Sequence, residues 1–318
     1  MIRVHFIGIG GSGLSAIARL LKQSGYEVTG SDKVLSSFAA DLQHEGIPIF
    51  IGHHPRNIQG ANWVVRSSAI PDENPEVVAA KNLKIPVYKR VDFLGKLMSE
   101  KTGIAIAGTH GKTTTTAMIA WTLYALGHDP SFIVGGVMNN LHVNAHAGKG
   151  ETFVIEADEY DRMFLGLKPR IEVITNLEHD HPDCYPTFED MYSAFESFVN
   201  LLPLDGTLIV CAEDEAAVAL LSTARRKGFH VISYSLQAEM TINSPQWMQA
   251  SNLKSNTRGG FNFTVMTNVG HAAASMVNVS LQVPGEHNVR NALAALAVAA
   301  ALGLSLQRAA EALGEFTG

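Results

Sequence analysis

Short runs of consecutive apolar residues alternate along the chain with longer stretches whose apolar positions recur every three or four residues. Runs at residues 4–9, 26–30, 63–65 and 86–88 read as buried strands, and residues 14–23 carry Leu, Ile and Ala at helical spacing. This alternation predicts a parallel sheet with helices packed on it. Residues 98–102 are polar and read as a linker, after which residues 103–107 restart the pattern. Further strands are expected at residues 153–155, 171–175, 207–210 and 230–233. Helices are expected at residues 113–126, 188–202 and 213–227, the first stopped by Gly127 and Pro130. Residues 261–265 and 277–283 read as a late antiparallel pair, and helices close the chain from about residue 288.

Composition mostly excludes. A chain of 318 residues suffices for two domains. Hydrophobic residues at 46% and charged residues at 17% describe an ordinary soluble globular protein with ample core. A net charge of −6 without a dense Lys/Arg run argues against a nucleic-acid partner. Cys184 and Cys211 are the only cysteines, which suits a reducing cytoplasm better than a disulfide scaffold. The N-terminal residues lead straight into a strand pattern without the signature of a secretory leader. The longest apolar run, residues 292–304, is too short to span a bilayer. A cytoplasmic protein with no membrane insertion is the expectation.

Both halves open with a strand, a glycine loop and a helix. Gly8-Ile9-Gly10-Gly11-Ser12-Gly13 satisfies G-x-G-x-x-G, and Asp32 follows the next strand at the spacing of a dinucleotide fingerprint. Glycines permit a tight turn, and the helix start adds partial positive charge for a phosphate. Three readings stand on these residues alone: a nicotinamide-dependent oxidoreductase, a nucleotide-diphosphate sugar site, and a tight turn without ligand. The second loop, Gly108-Thr109-His110-Gly111-Lys112-Thr113-Thr114, lies between an apolar strand and a long helix. There backbone amides can cradle phosphates, Lys112 can reach the β/γ oxygens and the Thr113 hydroxyl can ligate Mg²⁺. Ile106 occupies a position that the strict P-loop pattern reserves for Gly. The fold expected from these features is α/β, with an N-terminal Rossmann-like domain at residues 1–99. A central P-loop ATPase-type α/β domain with a mostly parallel sheet is expected at residues 100–318.

Three more segments fall where such a site needs them. Glu156-Ala157-Asp158-Glu159 sits at the C-terminal end of an expected strand, where a carboxylate can hold magnesium on a triphosphate. Asn176-Leu177-Glu178-His179-Asp180-His181 follows another strand, and its histidines among carboxylates fit either magnesium or zinc. His287-Asn288-Val289-Arg290-Asn291 opens an Ala-rich helix. Its asparagines can read a base edge or cap the helix, and spacing favours capping for Asn288.

In order along the chain, Gly108 to Thr114, Glu156 to Glu159, Thr175 to His181 and His287 to Asn291 resemble the ATP-site motifs of the Mur ligases. The first glycine loop, Ser31-Asp32, Ser67-Ser68-Ala69-Ile70 and Asn74-Pro75-Glu76 resemble the N-terminal domain of members that add L-alanine to UDP-N-acetylmuramate. The resemblance covers nearly the whole chain and implies that the first loop holds a UDP diphosphate. It implies that Gly108, Thr109, His110, Gly111, Lys112, Thr113 and Thr114 bind ATP, with Asn288 and Asn291 facing the adenine. Thr113 and Glu156 would ligate one Mg²⁺, and His181 with Glu156 a second. Lys112, His110, Glu156 and His181 form the implied catalytic set. Gly10, Gly11, Ser12, Gly13, Asp32, Ser67 and Ser68 would line the UDP-sugar site. The implied activity is ATP-dependent amide formation through an acyl phosphate, in the synthesis of peptidoglycan precursors.

Three positions depart from the family pattern. Tyr160 stands where alanine-adding members usually carry Ser, and resembles muropeptide-recycling members that add a tripeptide. Arg66 and Arg290 also differ from the usual residues. Family members continue past a segment like residues 313–318 into a third domain that binds the incoming amino acid. The expectation is therefore that residues 1–318 bind the UDP-sugar without completing the reaction; a non-catalytic UDP-sugar-binding module is the alternative.

Overall fold

The computed structural model describes residues 1–237, 244–270 and 275–318. The first sheet contains β1 (Arg3–Ile7), β2 (Glu27–Asp32), β3 (Ile49–Ile51), β4 (Trp63–Arg66) and β5 (Val87–Lys89). These strands are all parallel, in the order β3-β2-β1-β4-β5. Between and after them run α1 (Ser12–Gln23), α2 (Ser37–His44), α3 (Pro75–Asn82) and α4 (Arg90–Met98). The strand order reverses beside β1, so a crevice opens at the C-terminal ends of β1 and β4. The first glycine loop lies at that crevice.

The second sheet starts with β6 (Thr102–Ala107), followed by α5 (Lys112–Ala125), β7 (Ser131–Met138), β8 (Val143–His146) and β9 (Thr152–Glu156). It continues through β10 (Ile171–Ile174), α6 (Phe188–Val199), β11 (Thr207–Cys211), α7 (Glu215–Ala219), α8 (Leu221–Lys227) and β12 (His230–Ser235). The closing elements are β13 (Gln246–Ser255), β14 (Phe261–Thr267), β15 (Ser275–Ser280), α9 (Glu286–Ala301) and α10 (Leu306–Gly314). The strand order is β15-β14-β13-β12-β11-β10-β6-β9-β7-β8. Strands from β13 across to β7 are parallel, and both ends are antiparallel. The mostly parallel sheet expected from the alternation is therefore present.

β6 is buried on both faces, as a central parallel strand requires. Ile104 and Ile106 join the apolar cluster that contains α5 and α9, while Ala105 and Ala107 join the cluster on the opposite face. The alanines of α9 are almost all buried, which lets this helix lie close against α5 and fixes the start of α9 beside the second loop.

Several elements differ from the pattern reading. β3, β7, β8 and β13 are additional strands. The single helix expected at residues 213–227 is two, meeting at Leu220, because Asp214 caps the first one and the bonds at the junction tighten to an i to i+3 turn. The expected linker is short and tied down: Lys101 Nζ donates to Ser131 Oγ, Gly148 O and Gly150 O. The two sheets also share one apolar cluster, in which Phe93, Leu94 and Met98 of α4 meet Phe164 and Leu167. Across the same junction Arg19 Nη1 donates to Asn144 Oδ1 at 3.0 Å and Ala147 N–H to Gln23 Oε1 at 2.9 Å.

Glu172 is the anomaly of the core. It pairs in register with Ala105 and Leu208, is fully buried, and has no partner for either carboxyl oxygen among the described residues. Burial pushes its pKa well above the usual 4.5, because the ionised form would lie unpaired in an apolar interior. The folded chain then keeps a proton that the unfolded chain releases. Stability from this group is intact below pH 4.5 and is lost as pH rises toward the folded-state value. Glu172→Leu is expected to stabilise the fold by about 1–3 kcal/mol at pH 8 and by less at pH 5. Calorimetry at both pH values checks this; an equal gain at both would show that the carboxyl is not the source.

Candidate functional site

β6 delivers the second glycine loop at the C-terminal edge of its sheet. Gly111 is the N-cap of α5 with φ +82°, and a Cβ there would stand 3.0 Å from Asn291 Oδ1, so the turn needs glycine. Among the described residues no acceptor meets the N–H groups of Lys112, Thr113 and Thr114 in the first turn of α5. Three amides and a helix dipole thus point at one place, the arrangement that binds phosphate. The segment after β10 braces the loop. Thr109 N–H donates to Asn176 O at 3.0 Å, His110 N–H to Asn176 Oδ1 at 2.8 Å, and Thr175 Oγ1 to His110 O at 2.7 Å. Lys112 Nζ donates to Gly108 O, to Thr109 O and to Glu159 Oε1, the last at 2.8 Å.

Glu156, at the end of β9, does meet Thr113: its Oε1 accepts from Thr113 Oγ1 at 3.1 Å, and its Oε2 from Gly135 N–H at 2.9 Å. A hydroxyl beside a carboxylate is a hard oxygen donor set, fitting Mg²⁺ completed by phosphate oxygens and water. Among the described residues no group of three His, Cys, Asp or Glu side chains is arranged to hold a metal unaided. His181 makes no direct ion pair with Glu156, the residue implied to share a second Mg²⁺ with it. Its Nε2 stands 3.6 Å from Glu159 Oε1 and 3.8 Å from Asp180 Oδ2. His179 instead bonds Tyr185 O at 2.8 Å, so the two histidines of that segment serve different ends. Tyr160 lies edge-on to His181, and its hydroxyl donates to Asp183, which with its charge pushes the phenol up to about 12.

The capping reading of Asn288 is corrected. Gly285, at φ +91°, is the N-cap of α9, and Asn288 lies in the first turn with its Nδ2 donating to Pro284 O at 2.7 Å. Asn291 Nδ2 donates in turn to Asn288 Oδ1 at 3.1 Å. Asn291 and Gly111 line a cleft of about 390 Å³ with Cys211, Glu213, Tyr234 and Arg290. Arg290 is held by Glu213 Oε2, at 2.7 Å from Nε and 2.6 Å from Nη2. Burial pushes the Cys211 thiol up to about 11, leaving a neutral, apolar wall. Cys211, Glu213 and Tyr234 were not singled out in the sequence, since no local spacing links them to the loop.

The first loop repeats the physics. Gly10 N–H donates to Asp32 Oδ2 at 2.8 Å and Ser36 Oγ to Gly10 O at 2.8 Å, so Asp32 braces the turn. No acceptor among the described residues meets the N–H groups of Ser12, Gly13 and Leu14 at the start of α1. Ser67 packs on Gly8, and Ser68 lines a cleft of about 340 Å³ with Arg66, Lys89 and Arg90. Arg90, which the sequence did not point to, lies over Gly13 so closely that a Cβ there would collide with its guanidinium. Arg90 Nη2 also donates to Asp158 Oδ2 at 3.1 Å. A third cleft, of about 160 Å³, runs from Ser12 and Gly13 past Arg90 to Gly135 and Glu156. This cleft runs from the first loop to Glu156, which meets the second loop through its hydrogen bond to Thr113.

Two family models match this chain: "Mur ligase family, catalytic domain" over residues 3–102 and "Mur ligase middle domain" over residues 106–299. A UDP-N-acetylmuramate–L-alanine ligase of Legionella pneumophila is 42% identical over 317 residues, 99% of this chain and 65% of the relative. The enzyme of the same name from Renibacterium salmoninarum is 44% identical over 316 residues, again 99% and 65%. The chain thus spans less than two thirds of the length of these curated relatives. Among solved structures, UDP-N-acetylmuramate:L-alanyl-gamma-D-glutamyl-meso-diaminopimelate ligase from Neisseria meningitides superimposes with a TM-score of 0.83 at 29% identity. That match covers 100% of this chain and 99% of the other. UDP-N-acetylmuramate-alanine ligase from Thermotoga maritima gives 0.78 at 32% identity, covering 100% and 69%. Matched by family models in both halves and by relatives of 42–44% identity over 99% of its length, the chain belongs to the Mur ligase family.

Proposed function

We propose that the chain binds UDP-N-acetylmuramate and ATP·Mg²⁺ for a cytoplasmic ligase that joins L-alanine to the sugar nucleotide in peptidoglycan precursor synthesis. The observation that carries this reading is the pair of unsatisfied helix starts, α1 and α5, with a cleft running from the first to Glu156, whose carboxylate meets Thr113 at the second. Residues 1–99 form the sugar-nucleotide domain on this reading, and residues 100–318 the ATP domain. The α1 amides, with Arg90 above Gly13, hold the diphosphate. The α5 amides and Lys112 hold the ATP phosphates, and Asn288 and Asn291 present amide groups toward the base. The muramoyl carboxylate then meets the γ-phosphate near His110, giving an acyl phosphate and ADP, and the amine displaces phosphate. Mg²⁺, held by Thr113 and Glu156, supplies charge neutralisation on the triphosphate.

Both named relatives add L-alanine, which supports that amino acid. Tyr160 and the superposition on the tripeptide-adding Neisseria meningitides enzyme favour a second reading, addition of a tripeptide to the same sugar nucleotide. A product assay with both amine substrates separates the two.

Lys112→Ala is expected to weaken ATP·Mg²⁺ binding by about 10–100-fold, the scale of a lost charged hydrogen bond. UDP-N-acetylmuramate affinity should stay within about 2-fold, because the loops belong to different sheets. Titration calorimetry with each ligand checks this, and parallel losses would dissolve the two-site assignment. Glu156→Ala should remove most of the gain in ATP affinity that Mg²⁺ confers. An undiminished gain would move the ligand role to Asp158 or Glu159. Residues 1–318 on their own are expected to bind the UDP-sugar yet form little or no amide. Holding an amine against an acyl phosphate is worth roughly 7–11 kcal/mol of barrier, and in the family this falls to a further domain. Calorimetry followed by a product assay on one sample tests both halves; robust synthesis would contradict the second.

A further inference from the structure

Glu159 has a place in the site that its motif alone does not explain. Its side chain is 2% exposed, and a single carboxylate oxygen, Oε1, takes both Lys112 Nζ at 2.8 Å and His181 Nε2 at 3.6 Å. The other oxygen, Oε2, is buried without a partner among the described residues. The backbone holds the residue still: Glu159 O accepts the hydroxyl of fully buried Tyr185 at 2.6 Å and Arg162 N–H at 2.9 Å. Asp161 and Arg162, just beyond, both adopt left-handed conformations at φ +53° and +54°, so the chain bends back sharply beneath the carboxylate.

An ammonium group has three donors, and those of Lys112 are matched by three acceptors: Gly108 O, Thr109 O and Glu159 Oε1. A phosphate reaching Lys112 must displace one. The two carbonyls belong to the loop that cradles the phosphate, so the contact that gives way is Glu159, whose charge also repels the newcomer. We infer that Glu159 is a positioning residue: it holds the Lys112 ammonium in the loop before nucleotide arrives and yields it to the phosphate afterwards. Holding Lys112 in this way keeps the nearly buried cation paired, since an unpaired charge at such a site is costly. It also makes metal-free nucleotide binding weaker than the loop alone would give. This inference rests on the reading of the second loop as the ATP-phosphate site.

The test is ATP titration in EDTA against the 318-residue chain, its Glu159→Gln variant, Lys112→Ala, and the double variant. Glu159→Gln is expected to tighten ATP by about 10-fold, as removal of one nearby charge should, and to leave UDP-N-acetylmuramate affinity unchanged. In the Lys112→Ala background the same substitution should change ATP affinity by less than about 3-fold, because the residue acts through Lys112. Equal ATP affinity with and without Glu159, or an equal gain in both backgrounds, overturns the inference and leaves the site reading intact. Failure of the unsubstituted chain to bind ATP, even with Mg²⁺, overturns the site reading itself. If Glu159→Gln does not fold, the Lys112 ammonium resonance of the unsubstituted chain decides. It should be protected from solvent exchange without ATP and shift when ATP is added, and a resonance like that of surface lysines contradicts the inference.

Discussion

The first amides of α1 and α5 have no acceptor within the described chain, and that unmet demand organises the molecule. Each helix follows a buried parallel strand through a glycine turn, so its positive end is set at the rim of a sheet. The buried strands and the Ala-rich α9 fix where those ends point. A rigid, pre-aimed set of donors loses little on binding an anion, which is what phosphate recognition asks of a fold. The surrounding polar groups serve the same end: Asp32 braces the first loop, and Asn176 and Thr175 brace the second.

Two such sites become one reaction space only if the sheets are held in register with each other. α4 does this. Its Gly95 lets the helix backbone lie against the carbonyl of Gly166, and Phe93 and Met98 fill the shared apolar cluster beside Phe164. Arg90, at the start of the same helix, touches the first loop at Gly13 and the acidic segment at Asp158. Arg90 thus places a cation between the first loop and the acidic segment. The same acidic segment carries Glu156 toward Thr113 and Glu159 toward Lys112, so residues that touch both loops follow one another within a few positions.

Much of this was legible in the residues because it is local. A strand, a glycine turn and a helix follow one another within a short stretch, and both loops, Asp32 and Glu156 lie where that grammar puts them. What stayed hidden depends on distant segments meeting. Arg90 comes to Gly13 only through the packing of α4, and Cys211, Glu213 and Tyr234 reach the second loop from neighbouring strands. Spacing cannot tell which carboxylate of Glu156 to Glu159 a histidine will face, and His181 turned to Glu159. Asn288 looked like a cap because it precedes an apolar helical run, but Gly285 supplies the turn and frees Asn288 to orient Asn291. β7 was missed because Gly135 and Gly136 interrupt its apolar run, although the Gly135 amide helps hold Glu156, and β8 was missed because its four residues Val143–His146 carry no apolar run.

The central claim is that two nucleotides bind at once, one at each helix start, with their reacting ends facing across the cleft. A crystal structure of the chain with UDP-N-acetylmuramate and a non-hydrolysable ATP analogue with Mg²⁺ tests it most directly. The account predicts the UDP diphosphate on the amides of Ser12 and Gly13, the triphosphate on those of Lys112 to Thr114, and the lactyl carboxylate near His110. A UDP-sugar seated at Lys112, or a triphosphate seated at the first loop, would contradict it.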